Sequence, residues 1–169
     1  MATGQEKDSD TVVYVGALLR EYFPFFKRKR GGGMHGYVNR TQKSGRRSHH
    51  ASGRALDVYL HVSKRWEREL ADSLFALFIQ HSGEFGVDHV IWNRQIWSED
   101  KGGPRRYEQI ETNGPHTDHI HIAFTAVGSQ SKPVRLHDAI EELRKTLDRR
   151  HLTDWDRPVS EEPGTSPYD

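Results

Sequence analysis

Two short stretches of the chain carry residue types that hold a divalent metal. The first reads Ser-His-His-Ala-Ser-Gly-Arg-Ala-Leu-Asp over residues 48–57, and the second reads His-Thr-Asp-His-Ile-His over residues 116–121. A zinc ion takes about four ligands at roughly 2.0–2.2 Å from nitrogen or oxygen, and a catalytic site leaves one position open for water. The sequence therefore predicts a zinc site in which His50, Asp57 and His121 are the three protein ligands.

The residues beside these ligands predict strands. Side chains two residues apart lie on one face of a strand, so Asp57 shares a face with Gly53 and Ala55, whose small size leaves room beside the carboxylate. By the same spacing, His119 shares a face with His121. Because an imidazole titrates near neutrality and can act as a general acid or base, we expect His119 to transfer protons and not to bind the metal.

The spacing of these residues resembles a known group of zinc enzymes. Residues 48–57 follow the pattern Ser-x-His-x-x-Gly-x-Ala-x-Asp, which looks like the first zinc motif of the D-alanyl-D-alanine metallopeptidases. His-Ile-His at 119–121 resembles the second motif of the wider group, which includes lysostaphin-type enzymes and the hedgehog signalling domain. The stretches 90–97 and 115–122 are similar to bacterial and phage members that cut peptidoglycan. The resemblance covers roughly residues 37–124, about half of the chain.

This resemblance implies zinc-dependent hydrolysis of amide bonds in peptidoglycan peptides, by an endopeptidase or a carboxypeptidase. In the similar enzymes the first histidine of His-x-His lies beside the metal, and some members instead use a glutamate three residues before the last histidine. That position is Asp118 here, whose shorter side chain favours His119 as the proton carrier. His116 is a further candidate for that role, and Asp118 is alternatively a carboxylate that orients an imidazole.

Other residues near the two motifs are expected to meet the substrate. Related enzymes often carry an arginine ahead of the first motif; Arg40 matches it here, with Arg46 and Arg47 as competing candidates. Ser48 is expected to hydrogen-bond backbone or ligand, since no base is assigned that would make it a nucleophile. Trp92 either lines the substrate groove or covers the sheet.

The composition is that of a globular protein. Its 169 residues are enough for one domain with a core, and the net charge of +1 gives no overall attraction to nucleic acid or membranes. The absence of cysteine excludes disulfides and a thiol nucleophile. We expect a monomer whose partner is a peptidoglycan peptide substrate, with no nucleic-acid or membrane partner.

Residues 1–10 are polar and acidic and lack the basic start and apolar core of a signal peptide. We therefore expect synthesis in the cytoplasm and action on the cell wall after lysis or dedicated secretion. These properties suit a phage lysin or an antibacterial effector, and an effector could have an immunity protein as its partner.

The expected fold is an α+β domain over residues 11–155, between a flexible N-terminus over 1–10 and a disordered tail over 156–169. We expect a mainly antiparallel sheet of about four strands, with helices on one face and a zinc groove on the other. Apolar residues at helical spacing predict the helices, over 11–26, 64–81 and 136–150. Alternating apolar residues predict the strands, over 55–62, 87–91, 95–97 and 119–125, with a further short strand over 37–39. Residues 98–104 are expected to be a loop.

Two other classes of function stay open. A zinc-bearing binding module of the hedgehog type would keep the metal and lack turnover. A metal-dependent nuclease would use the histidines together with the basic segment over residues 27–30, but it should prefer magnesium and oxygen ligands. The expected proton carrier His119 and the open ligand position favour the peptidase.

Overall fold

The computed structural model describes residues 7–29, 33–38 and 48–149. Within these ranges, no helix is long and apolar enough to cross a membrane. The helices are α1 (Asp10–Tyr22), α2 (Arg65–Gln80), α3 (Ser82–Phe85), α4 (Ile110–Asn113) and α5 (Leu136–Arg149). The strands are β1 (Met34–His35), β2 (Ala55–Val58), β3 (Val87–Trp92), β4 (Gln95–Ser98), β5 (Gly102–Arg106) and β6 (Ile120–Phe124).

The six strands of the described residues form one sheet in the order β1-β2-β6-β3-β4-β5. Every neighbouring pair is antiparallel, which confirms the predicted α+β class. The sheet has more strands than the four or so expected, because β1 and β5 extend its edges. β5 begins within residues 98–104, where we expected a loop, and β1 precedes the short strand expected over 37–39, of which residue 39 lies outside the described ranges.

The N-terminal end of α1 is part of the fold. Ser9 is buried and caps the helix by accepting a hydrogen bond from the backbone N–H of Val12 at 3.4 Å. The N–H of Ser9 donates to the carbonyl of Gly53 at 2.8 Å, and the carboxylate of Asp8 accepts from the N–H of Tyr37. These contacts hold Asp8 and Ser9 in the fold, so the prediction of a flexible N-terminus is wrong for these residues, and residues 1–6 lie outside the described ranges.

The three long helices lie close to the predicted positions. α1 ends at Tyr22, earlier than predicted, and Pro24 starts a separate 3-10 turn (Pro24–Arg28) because proline lacks the N–H that would continue the helix. The apolar stripes of α1, α2 and α5 pack with the sheet into one core. Its fully buried members include Leu19, Phe23, Leu70, Leu74, Phe78, Ile140, Leu147, Val58, Ile120 and Phe124.

The register of the sheet divides its side chains between two faces. Leu56 of β2 pairs with Ile122 of β6, and both belong to the helix-packed core. Their strand neighbours Asp57 and His121 pair with each other, and His121 also pairs with Ile91 of β3. Since alternate residues of a strand point to opposite faces, Asp57 and His121 lie side by side on the face away from the core.

Candidate metal centre

Three polar side chains meet on the face of the sheet that points away from the core. β2 supplies Asp57, β6 supplies His121, and a 3-10 turn (His50–Ser52) supplies His50. The Nδ1 atom of His121 lies 2.8 Å from Asp57 Oδ1. The Nε2 atom of His50 lies 3.2 Å from Asp57 Oδ1 and 3.2 Å from His121 Nδ1. These three residues, hereafter the metal triad, could hold a metal ion.

The turn that carries His50 owes its position to a glycine and a serine. Gly53 ends the turn with φ 66°, where a side chain is strained, and a Cβ there would collide with the carbonyl of Lys7. Ser48 opens the turn, since its hydroxyl accepts the N–H of Ala51 at 3.0 Å. The predicted role of Ser48 in bonding backbone therefore has a partner within its own turn.

The hydrogen bonds and charges of the metal triad favour a bound cation. His50 Nδ1 lies 2.7 Å from the carbonyl of Gly36, so it donates its proton there and leaves a lone pair on Nε2. Burial raises the pKa of Asp57, but the hydrogen bonds from His121 and His50 outweigh it and hold that pKa far below its usual range. The carboxylate is therefore ionised and points at the same place as the two ring nitrogens.

The two imidazoles of the metal triad differ in proton affinity. Burial lowers the pKa of His121 to about 4, so this ring is neutral at pH 7. Burial also lowers the pKa of His50, but the hydrogen bond and charge of Asp57 raise it by more, for a net increase. His50 therefore binds a proton more readily than His121 does.

His119 lies beside the metal triad, farther from Asp57 than His50 and His121 are. Its Nε2 atom is 3.8 Å from Asp57 Oδ1. Its Nδ1 atom donates to Asp118 Oδ1 at 2.8 Å, which turns Nε2 towards Asp57. The side chain of His119 is 19% exposed, so water can reach it. This arrangement suits a group that exchanges protons at the edge of a metal site.

His116, the second candidate for the proton carrier, is more deeply buried. Its ring lies 4.6 Å from the ring of His119 and 6.0 Å from that of His121, measured between centroids. Its Nδ1–H donates to the carbonyl of Gly114 at 3.1 Å. Burial lowers the pKa of His116 to about 4, so only about one ring in a thousand carries a second proton at pH 7. Donating a proton at neutral pH therefore does not suit His116.

Among the predicted substrate residues that the structure describes, Trp92 does not join this group. Trp92 lies on the opposite face of the sheet, is 2% exposed, and donates its indole N–H to Asp72 of α2 at 2.8 Å. Trp92 therefore covers the sheet, and the alternative that it lines the groove is wrong. Arg40, together with Arg46 and Arg47, lies outside the described residues.

A cleft that the sequence did not indicate adjoins the loop of His116. It lies where the β3–β4 turn meets β5 and is lined by Asn93, Arg94, Gln95, Pro104, Arg105 and Arg106. The N–H of Asn93 donates to the carbonyl of His116 at 2.8 Å, which joins the turn to that loop. Two of the three arginines come from β5, a strand whose residues are all exposed, so hydrophobic periodicity gave no signal for the cleft.

A second group of metal-binding residue types lies on the same face, also without a signal in the sequence. His49, Asp88 and His89 bring one ligand atom each within 4.8 Å of the others. The rings of His89 and His121 stack at 5.2 Å, so the two groups are neighbours.

Comparison with known proteins gives one family match. A family model described as VldE, C-terminal domain, matches residues 26–121, more than half of the 169-residue chain. The matched stretch contains the whole metal triad and His119. No curated protein and no solved structure matches the chain significantly.

Proposed function

The chain belongs to the VldE C-terminal domain family, and we propose that it is a zinc-dependent peptidase that hydrolyses amide bonds in peptidoglycan peptides. One observation carries the proposal: two ring nitrogens and a carboxylate oxygen converge within 3.2 Å of one another on a face of the sheet that the core leaves free. Their order along the chain is the order of the two motifs that resemble the D-alanyl-D-alanine metallopeptidases.

The spacing of the metal triad fits a zinc ion. Tetrahedral ligands at 2.0–2.1 Å from zinc lie about 3.3–3.4 Å from one another. The three separations between His50, Asp57 and His121 are 3.2, 3.2 and 2.8 Å, so a shift of a few tenths of an ångström would admit the ion. Held there, zinc would polarise a scissile carbonyl and make a water more acidic.

The side chains of the protein divide the remaining work. The carboxylate of Asp118 accepts the Nδ1–H of His119, with 2.8 Å between Nδ1 and Oδ1. The Nε2 atom of His119 is then on the side of the metal triad. That atom takes a proton from the attacking water and returns it to the departing amine nitrogen. Asp118 thus orients an imidazole, which was the alternative to its acting on protons itself.

The arginine cleft supplies a reason for an anionic peptide substrate. Peptidoglycan stem peptides carry free carboxylates, and guanidinium groups bind carboxylates through paired N–H donors. Arg105 presents such a group next to the loop of His116, on the same face as His121, whereas Arg106 pairs with Gln95 opposite Trp92 and so points to the other face. We propose that a peptide bound at the metal triad places a carboxylate near Arg105.

Digestion of purified peptidoglycan tests the proposal. Wild-type protein should release new amino groups, chelation should abolish the release, and added zinc should restore it. Asp57→Asn should be inactive, because the amide is a poorer metal ligand of the same shape. Asp138→Asn makes the same chemical change at an exposed site on α5 and should retain full activity.

Mass spectrometry of the digest identifies the bond and separates an endopeptidase from a carboxypeptidase. Amine release that persists in the chelated protein or in Asp57→Asn refutes zinc-dependent hydrolysis. Tight zinc binding without any amine release favours the non-catalytic binding module instead. Magnesium-dependent cleavage of DNA favours the nuclease. Action in a phage lysin or in a secreted effector is compatible with the proposed activity.

A further inference from the structure

The second histidine–aspartate group has the composition and the spacing of a metal site. Asp88 Oδ2 lies 3.3 Å from His49 Nε2 and 2.6 Å from His89 Nδ1. The side chains of His49 and His89 are partly buried, and Asp88 is 41% exposed, so an ion could enter from solvent. The group shares no residue with the metal triad, and the catalytic roles proposed above use none of its members.

A β-bulge explains why the adjacent side chains of Asp88 and His89 lie close to each other. Adjacent residues of a regular strand point to opposite faces. Here β3 advances from Val87 to His89 while β6 advances only from Phe124 to Ala123, so Asp88 is an extra residue in the ladder. Such a bulge redirects a side chain, and it allows Asp88 to reach both His49 and His89.

The histidine pair at the start of the 3-10 turn connects the two groups. His50 points into the metal triad, while the preceding residue, His49, reaches Asp88 on β3. The rings of His49 and His89 meet edge to face at 4.8 Å between centroids. A cation held between His49 and β3 would therefore fix the turn from which His50 binds the first ion.

We propose that His49, Asp88 and His89 form a second divalent-metal site, which fixes the turn carrying His50. Two imidazoles and one carboxylate suit zinc and its neighbours cobalt and nickel, and do not suit calcium or magnesium, which prefer oxygen ligands. Binding requires the Nδ1 proton of His89 to move to Nε2. It also requires the distance between His89 Nδ1 and Asp88 Oδ2 to increase from 2.6 Å towards the roughly 3.3–3.4 Å that separates tetrahedral ligands.

The second site is expected to be the weaker of the two. Arg54 contributes a positive charge to the surroundings of both His49 and Asp88, which opposes a cation there. Asp88 is also more exposed than Asp57, with side-chain exposures of 41% and 16%, so water screens its charge more. The two ions should therefore bind in separate steps.

Cobalt titration of the metal-free full chain tests the second site, with absorbance reporting coordination and elemental analysis reporting stoichiometry. Wild-type protein should bind two ions in two steps. Asp88→Asn should weaken the second step by more than about 100-fold, the upper range for losing a residue that only orients a ligand, and should keep the first. His49→Gln, a second variant in case Asp88→Asn misfolds, should do the same.

Asp57→Asn should show the converse, with the first step lost and the second kept. Asp138→Asn should bind both ions, because its exposed cluster with His137 and Glu141 on α5 has no part in the proposal. A single ion in wild-type protein, or two ions in both Asp88→Asn and His49→Gln, overturns the second site. Either result leaves the Asp57-dependent ion and the peptidase activity untouched, so it is distinguishable from failure of the proposed function.

Discussion

Replacing His119 with alanine separates proton transfer from metal binding. His119 Nε2 lies 3.8 Å from Asp57 Oδ1, whereas the ligand atoms of the metal triad lie 2.8–3.2 Å apart. The variant should therefore keep about one tightly bound zinc per chain. Turnover should fall by about 10²–10⁴-fold, the usual contribution of a positioned acid or base. This range corresponds to about 3–5 kcal/mol of transition-state stabilisation, at roughly 1.4 kcal/mol for each factor of ten.

The loss should not come from unfolding. His119 is at the rim of the site, and its hydrogen-bond partner Asp118 is 66% exposed, so truncation should change the free energy of unfolding by no more than about 1 kcal/mol. Thermal unfolding of the zinc-loaded variant checks this. His81→Ala is the matched control and should leave turnover unchanged. It removes a partly exposed histidine that follows the last residue of α2 and pairs with Glu84 of α3.

The assay is release of new amino groups from purified peptidoglycan, with bound zinc measured on the same samples. Loss of zinc in His119→Ala would refute the reasoning, because His119 would then be a ligand. Full zinc and full turnover would also refute it, and would make Asp118 or His116 the next candidate for proton transfer. Reduced turnover with full zinc in Asp118→Asn, milder than in His119→Ala, would agree with an orienting role for that carboxylate.

Three further predictions address the metal and the core. Replacing His50, Asp57 or His121 with alanine should each sharply lower zinc content, measured by elemental analysis, while the circular dichroism of the fold persists; full zinc in all three variants would exclude the site. At a zinc concentration 1,000-fold above the dissociation constant, binding adds about 4 kcal/mol to the free energy of unfolding. Chelation should therefore lower Tm by about 8–16 °C for a domain of this size. An unchanged Tm would contradict zinc binding to the folded chain. Glu67→Ala should lower the free energy of unfolding, measured by chemical denaturation, by about 3 kcal/mol without changing zinc content. The reason is that this buried carboxylate bonds Lys29 at 3.0 Å and the N–H of His61 at 2.7 Å. A loss below about 1 kcal/mol would contradict its structural role.

The sequence by itself determined which residues of the central strands share a face. Strand periodicity places Asp57 opposite in direction to Leu56 and Val58, and His121 opposite to Ile120 and Ile122, and the structure shows this division. The same periodicity separates Trp92 from His89 and Ile91 on β3, although it could not say which face the helices cover. The helix α5 could also be predicted from the sequence, because its apolar residues recur at helical spacing.

The edge strands were decided by tertiary pairing. All five residues of β5 are exposed, so they carry no alternation of apolar and polar side chains, and only their hydrogen bonds to β4 make them a strand. The Asn93–Arg94 turn has positive φ at both residues, a geometry that suits a tight hairpin. It places Arg105 of β5 beside the loop of His116, which no spacing along the chain could indicate.

The second histidine–aspartate group shows the same limit most clearly. Strict alternation would send Asp88 and His89 to opposite faces, and would separate Asp88 from His49, which lies 39 residues earlier in the chain. The bulge between β3 and β6 brings them together. A bulge is one residue too many relative to a partner strand, so it exists only in the pairing of two strands and cannot be identified from either strand alone.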